Sequence, residues 1–561
     1  MSRLLTRRRL LQCAAALAVL AAVWLVLPGG IGSAHSSLTD AAPAPDSRLA
    51  AAPSAIVLQF NERLENQGFA IQVYDRQGQP VSKNEAVMDP GRRVMRMTFP
   101  TLPDGNYTVA YRLLSADGHP IRASYVFTVG WTTEASRGYV SAARLHDEHE
   151  LGKNIPYWIV RGLYFAGLLA ATGWVGLRVY APAVANRNGR RGWRYDTVRK
   201  LLLGAYLLAL LLLAWQDYGK LRIGFESSER WDLLLGTSIG ISYAIAIPAA
   251  LLGLFLTGRR RVFDAAWILL VFAAKGLNGH AMGYAVPQLT YGLDIVHLTA
   301  ASLWAGVLLA FAMVGAKRLT AADNGGSDAA LLSRAAFAAI GLLAVSGLVT
   351  AALYTNGFDR LLDSQWGRLM LAKTGAVLLV VAAGAFIRRT LRRGSLRQGA
   401  AWLAFDGILF AVVIGITAVF TYLNPLASTG PLFWHEKVDG IHIAAVITPN
   451  KAGETNQFSV SIGGWKTSGK GAAVSSDEGG EGPKKVTLRL QSIGRPEIPP
   501  IDVPLSIVPT SGGQLSLYDY NYAAEGNYLS LPGKWKLEVR VLNEKLDEFV
   551  TEKTFYSENK E

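Results

Sequence analysis

Thiol chemistry is nearly missing from this chain. Of 561 residues one is a cysteine, Cys13, and it sits in the N-terminal apolar segment. That excludes a disulfide framework and a thiolate metal site. Charge is scarce as well, at 17% of residues against 50% hydrophobic. Such a balance is wrong for a soluble protein of this length and ordinary for a membrane protein with soluble parts. No Walker A sequence or phosphorylation domain is apparent, so ATP hydrolysis is not expected. Acidic residues are outnumbered, giving a net charge of +14. The arginines and lysines stand in short segments between apolar runs, as cytoplasmic loops do, so nucleic acid is not an expected partner.

What is present begins with an export signal. Arg3, Arg7, Arg8 and Arg9 precede an apolar run from Leu10 to Leu27, and Gly32, Ser33 and Ala34 follow. Residues 1–34 are thus expected to be a signal peptide cleaved after Ala34, which makes His35 the new N-terminus. Thr6-Arg7-Arg8-Arg9-Leu10-Leu11 also resembles a twin-arginine signal, so both export routes stay open.

Residues 35–130 read as a β-domain. Ile56–Phe60, Ala70–Tyr74, Arg93–Phe99, Tyr107–Tyr111 and Tyr125–Val129 are short β-rich runs, separated by turn signals such as Asp89-Pro90-Gly91. Residues 131–154 form a charged linker that carries His146 and His149. From 155 to 423 long apolar runs alternate with short charged loops. The expected spans are 156–182, 199–217, 232–257, 263–283, 291–316, 333–355, 367–388 and 401–423. Each is long enough for a hydrocarbon core of ~30 Å, where only helices satisfy their own backbone. Arg187–Arg191, Arg259–Arg261, Lys317-Arg318 and Arg388–Arg393 fall in alternate loops, which places those loops in the cytoplasm and both termini outside. Residues 430–561 are polar and β-patterned again, as in Ile441–Val446 and Trp535–Val541, and suggest a second extracytoplasmic sandwich. The expected whole is a multidomain protein of the bacterial cytoplasmic membrane: an all-β domain, an all-α bundle of about eight spans, and a C-terminal all-β sandwich.

An N-terminal histidine offers its α-amine and its imidazole to one metal. A second imidazole completes a planar nitrogen set suited to Cu(II). Ser115-Ala116-Asp117-Gly118-His119-Pro120 supplies candidates, because Asp117 and His119 are two apart and share one face of an extended strand. Ala34–Leu38, Pro43-Ala44-Pro45, Leu58–Glu62 and Tyr111–Arg122 resemble the CopC copper-binding family. The resemblance covers 35–130 and implies a Greek-key barrel that holds Cu(II) through His35, Asp117 and His119. Ala123 stands where that family often has glycine, and no Met-rich Cu(I) loop is evident. Met88, Met95 and Met97 read instead as strand or core residues.

Within the helical region the histidines are His280 and His297. Asp294 and His297, three apart, share one helical face. Polar groups at membrane depth are costly and mark pathways. Lys275–Ala281, Asp294–His297 with Trp304-Ala305-Gly306, and Trp366–Leu369 with Lys373 resemble the CopD family of copper-transport membrane proteins. The order of parts, ending in a YtkA-like sandwich, is similar to YcnJ-type copper-uptake fusions. A copper relay through His280, Met282, Asp294 and His297 is the function these resemblances imply. Further copper contacts are expected at His435 and His442, beside Trp434, with ordinary surface histidines as the alternative. Copper ion, the lipid bilayer and an extracytoplasmic copper chaperone are the expected partners. No enzymatic activity is expected. Copper resistance or sequestration, copper sensing, and a copper- or haem-dependent membrane oxidoreductase stand as alternatives.

Overall fold

The computed structural model describes residues 38–130 apart from 46, 76–78 and 117–119. In the helical region it describes 155–421 and 423 apart from 187–193, 222–229, 284–286, 316–324, 355–364 and 394. Beyond these it describes 430–557 apart from 439–440, 464–482, 509–519 and 544–546. Two compact units result, one of helices and one holding both β-domains.

The first β-domain has eight strands: β1 Leu38–Ala42, β2 Arg48–Leu49, β3 Ala55–Phe60, β4 Ala70–Tyr74, β5 Val87–Met88, β6 Val94–Thr98, β7 Gly105–Leu114 and β8 Pro120–Val129. They form two four-stranded sheets, ordered β1-β3-β6-β5 and β2-β8-β7-β4. Period-two alternation fixes what is inside. Ile56, Leu58 and Phe60 of β3 and Met95 and Met97 of β6 point into one core with Val109, Tyr125 and Phe127, while Arg96 points out. Met95 and Met97 are therefore core residues, as the alternation indicated. Asp89 closes the β5–β6 turn by accepting from the backbone N–H groups of Gly91 (2.9 Å), Arg93 (2.8 Å) and Val94 (2.7 Å).

The helical unit comprises α1 Ile155–Tyr180, α2 Pro182–Ala185, α3 Tyr195–Leu221, α4 Arg230–Gly236, α5 Ser238–Leu256, α6 Arg261–Gly276, α7 Pro287–Ala310, α8 Gly325–Tyr354, α9 Gln365–Arg392 and α10 Leu396–Phe420. Among the described residues, seven helices are long and apolar enough to cross a membrane. Two expected spans differ in detail. The span expected at 232–257 is interrupted at Thr237, whose hydroxyl accepts from Gly240 N–H at 3.2 Å and caps a new helix, α5. The span expected at 263–283 is a 16-residue helix, α6. At ~1.5 Å per residue it reaches ~24 Å, less than a ~30 Å core. Its end is closed by Lys275, which donates to the Asn278 carbonyl at 2.9 Å, and a short 3₁₀ turn, His280–Met282, follows.

Helix α1 is central, touching α3, α6, α7 and α10. Its crossing with α7 is made by two glycines. A Cβ on Gly173 would lie 2.6 Å from the Gly306 nitrogen and would strike the Ser302 carbonyl. Small residues at a crossing let helix backbones approach where lipid gives no hydrophobic drive. Outward positions carry apolar side chains such as Leu208, Trp215, Phe255, Phe337 and Val345, all exposed.

The second β-domain holds β9 Leu432–Val438, β10 Ile441–Thr448, β11 Asn456–Gly463, β12 Lys485–Ser492, β13 Ile501–Val503, β14 Ser506–Val508, β15 Tyr520–Gly526, β16 Gly533–Leu542 and β17 Glu548–Ser557. Sheets β14-β15-β11-β10-β9 and β13-β12-β16-β17 enclose Ile443, Ile447, Phe458, Val460, Leu490 and the fully buried Trp535. The two β-domains touch: Lys451 Nζ lies 2.9 Å from Asp40 Oδ2, and Phe433 packs against the first domain's core.

Candidate functional site

Three sequence-predicted ligands, His35, Asp117 and His119, lie outside the described residues. The strands on either side of 117–119, β7 and β8, are neighbours in one sheet. In the helical unit, His280 and Met282 belong to the 3₁₀ turn after α6 rather than to a membrane helix, and Met282 is half-buried. Asp294 and His297 both lie on α7.

Around Asp294 the fold assembles charge from three helices. Lys275 of α6 places its Nζ 3.9 Å from Asp294 Oδ2, and Lys373 of α9 is within electrostatic reach of both Asp294 and His297. The lysine ammonium groups lie over aromatic rings, Lys275 Nζ 5.9 Å from the Phe165 centroid and Lys373 Nζ 5.3 Å from that of Phe420. One turn on, His297 Nδ1 is 2.9 Å from Ser346 Oγ on α8. The Ser346 hydroxyl donates its single proton to backbone, to the Leu342 carbonyl at 2.6 Å. Its oxygen must therefore accept from His297 Nδ1–H. That fixes the imidazole tautomer and leaves the lone pair on Nε2, the atom a metal takes.

A second polar network, which the sequence reading missed, adjoins this one. Asp217 of α3 accepts from Tyr157 (2.9 Å) and from Tyr243. Arg161 of α1 donates to Tyr157 Oη at 3.2 Å, to Thr421 Oγ1 at 2.7 Å and to the Ala418 carbonyl at 3.1 Å. The signal was available: Arg161 is a charge inside the first apolar run, and a buried charge needs such partners.

In the second β-domain His435 of β9 and His442 of β10 meet. His435 pairs in register with Ala444, so His442 lies two positions along on the same face. Their rings stack with centroids 5.2 Å apart, and His435 Nε2 is 3.0 Å from His442 Nδ1. Trp434 faces the other way, into the core, and is no part of this pair. No group of three or more His, Cys, Asp or Glu side chains placed to hold a metal ion occurs among the described residues.

Comparison with known proteins matches two stretches of the chain to families. Residues 38–130 match the CopC domain family, and residues 327–420 match the family described as copper resistance protein D. Copper transport protein CutJ of Bacillus subtilis (strain 168) is 25% identical over 458 residues, 76% of this chain and 82% of the relative. Copper resistance protein C of Escherichia coli is 34% identical over 120 residues, 18% of this chain and 94% of the relative. Protein YobA of Escherichia coli (strain K12) is 31% identical over 101 residues, 17% of this chain and 79% of the relative. Among solved structures, CopC from Methylosinus trichosporium OB3b is 35% identical with a TM-score of 0.16, covering 17% of this chain and 94% of its own. With CopC and CopD parts in one chain, and a copper transport relative along most of its length, this protein belongs to the CopC–CopD fusion family of copper transport and resistance proteins.

Proposed function

We propose that the chain imports copper across the bacterial cytoplasmic membrane and is not an enzyme. Cu(II) is taken outside the membrane by the N-terminal domain, through the His35 amine and imidazole, Asp117 and His119. It then passes by Met282 and His280 to Asp294 and His297 and on through the helices. The observation that carries this reading is the Asp294–His297 site. A carboxylate and an imidazole with its Nε2 lone pair fixed for coordination sit inside an apolar bundle, flanked by Lys275 and Lys373. Lys275 pairs with Asp294 while no cation is present, and an arriving copper ion has to displace it from the carboxylate. With no ATP-binding motif, the gradient, the membrane potential or a donor chaperone supplies direction.

The test is cellular copper content in a strain lacking the protein, complemented with the native chain, His297→Ala or Asp294→Asn. Import requires native complementation to raise copper and both variants to fail while still reaching the membrane. Lower copper on native complementation would instead mean export or resistance.

A further inference from the structure

We propose that His435 and His442 form a second copper site, a bis-imidazole Cu(II) site on the C-terminal β-domain. The proposal rests on copper being the cargo. It adds a station that does not depend on the N-terminal ligands.

Residues 430–561 contain two histidines, and the fold brings both to one place with ring nitrogens 3.0 Å apart. Two nitrogens bound to one ion at about 2.0 Å and separated by 3.0 Å subtend about 97° at it. Cis positions of a tetragonal site need about 2.8 Å, tetrahedral positions about 3.3 Å and a linear pair about 4.0 Å at the same bond length. The 3.0 Å spacing is that of the hydrogen-bonded pair without metal, and a shift of ~0.2 Å brings the nitrogens to cis positions of a tetragonal site, against ~1 Å for a linear Cu(I) pair. Thioether and thiolate donors, which would favour Cu(I), are absent from the pair. Water completes the coordination.

The placement is built in by the sheet. β10 is paired on both sides, with Ala444 opposite His435, and with Gly463 and Lys437 opposite His442, so the backbone under both rings is fixed. Both imidazoles are half-buried, which leaves access for an ion and few water contacts to break. Without metal, one ring's N–H donates to the facing nitrogen of the other. For a cation to take both facing nitrogens, that proton moves, by exchange with solvent, to the other nitrogen of its own ring, so both imidazoles stay neutral. Phe433, on the same face as His435, packs on the core of the N-terminal β-domain.

The full-length chain, purified in detergent, is titrated with Cu(II) alone and followed by metal analysis and electron paramagnetic resonance. The forms compared are native, His435→Gln, His442→Gln, the double variant and each of these with His119→Ala. The double variant should bind one equivalent less than native, in both the native and the His119→Ala background. The lost signal should be a tetragonal Cu(II) spectrum with nitrogen hyperfine structure. Equal stoichiometry in native and double variant, with unchanged circular dichroism, overturns the proposal, as does an equivalent that Zn(II) fills and Cu(II) does not. If His119→Ala loses nothing while the double variant loses one equivalent, it is the N-terminal ligand assignment that fails.

Discussion

At the scale of single residues, hydrogen-bond accounting decides which nitrogen of an imidazole keeps its lone pair. Ser346 cannot both donate to its own helix and donate to His297, so the histidine is the donor and its Nε2 keeps the lone pair. Ser346→Ala should therefore weaken metal binding at His297 by about 10–100-fold, as loss of such an orienting partner does. Ser346→Thr should keep most of it, and copper uptake by cells expressing each variant at equal membrane level checks this. Asp89 shows a different residue-scale effect, on stability. Burial raises its carboxyl pKa, but the N–H groups of Val94, Arg93 and Gly91 outweigh that and hold it below the ordinary value of 3.8. A carboxylate depressed by folding contributes stability that is fully present above its unfolded pKa and is lost as pH falls through the folded one. Asp89→Asn should cost about 1 kcal/mol at neutral pH. The deficit against native should shrink once the pH drops below about 4. Hydrogen exchange of the 87–98 segment, compared between variant and native at each pH, measures it.

At the scale of elements, period and size decide what a strand or helix can touch. Met95 is wholly buried on β6, so Met95→Ala should destabilise the N-terminal domain by about 2–5 kcal/mol, read by thermal unfolding or proteolysis. A copper ligand at the same position would show instead as lost copper binding with stability kept. The α1–α7 crossing has no room for a side chain. Gly173→Leu should force the helices apart and remove folded protein from the membrane, while Gly204→Leu, where a Cβ meets nothing within 4 Å, should be tolerated. Fluorescence-detected size exclusion of the two variants separates these outcomes. The strands and long helices were legible because alternation and apolar run length are local properties. The break at Thr237 and the early end of α6 at Gly276 were not, because a side-chain cap and a lysine reaching forward to Asn278 end helices inside runs whose hydropathy is still high.

At the scale of the whole molecule, loop charge predicts an orientation with both β-domains outside, which labelling can test. The chain holds a single native cysteine, Cys13, so accessibility can be mapped with little background. Cysteine placed at Glu226 should react with an impermeant maleimide in intact cells or spheroplasts, and cysteine at Arg389 should react only after permeabilisation. The reverse pattern would put both β-domains in the cytoplasm, where capture of extracytoplasmic copper fails. The pairing of the two β-domains is also a whole-molecule property: Asp40 and Lys451, which join them, are over four hundred residues apart in sequence.

The sequence by itself determined the division into β, helical and β parts and pointed to copper as the ion handled. Each of those is written in local composition, period or short motif. It also singled out Asp294, His297, His435 and His442, since histidine and aspartate are rare enough here to stand out. Only the tertiary structure decided which of them meet. Lys275 and Lys373 close on Asp294 from two other helices, Ser346 sets the His297 tautomer from a third, and Arg161 finds Thr421 across the bundle. His435 finds His442 through the β9–β10 register. The physical reason is that covalent neighbours fix periodicity, whereas contacts at 3 Å depend on helix crossings and strand register set by packing the whole chain.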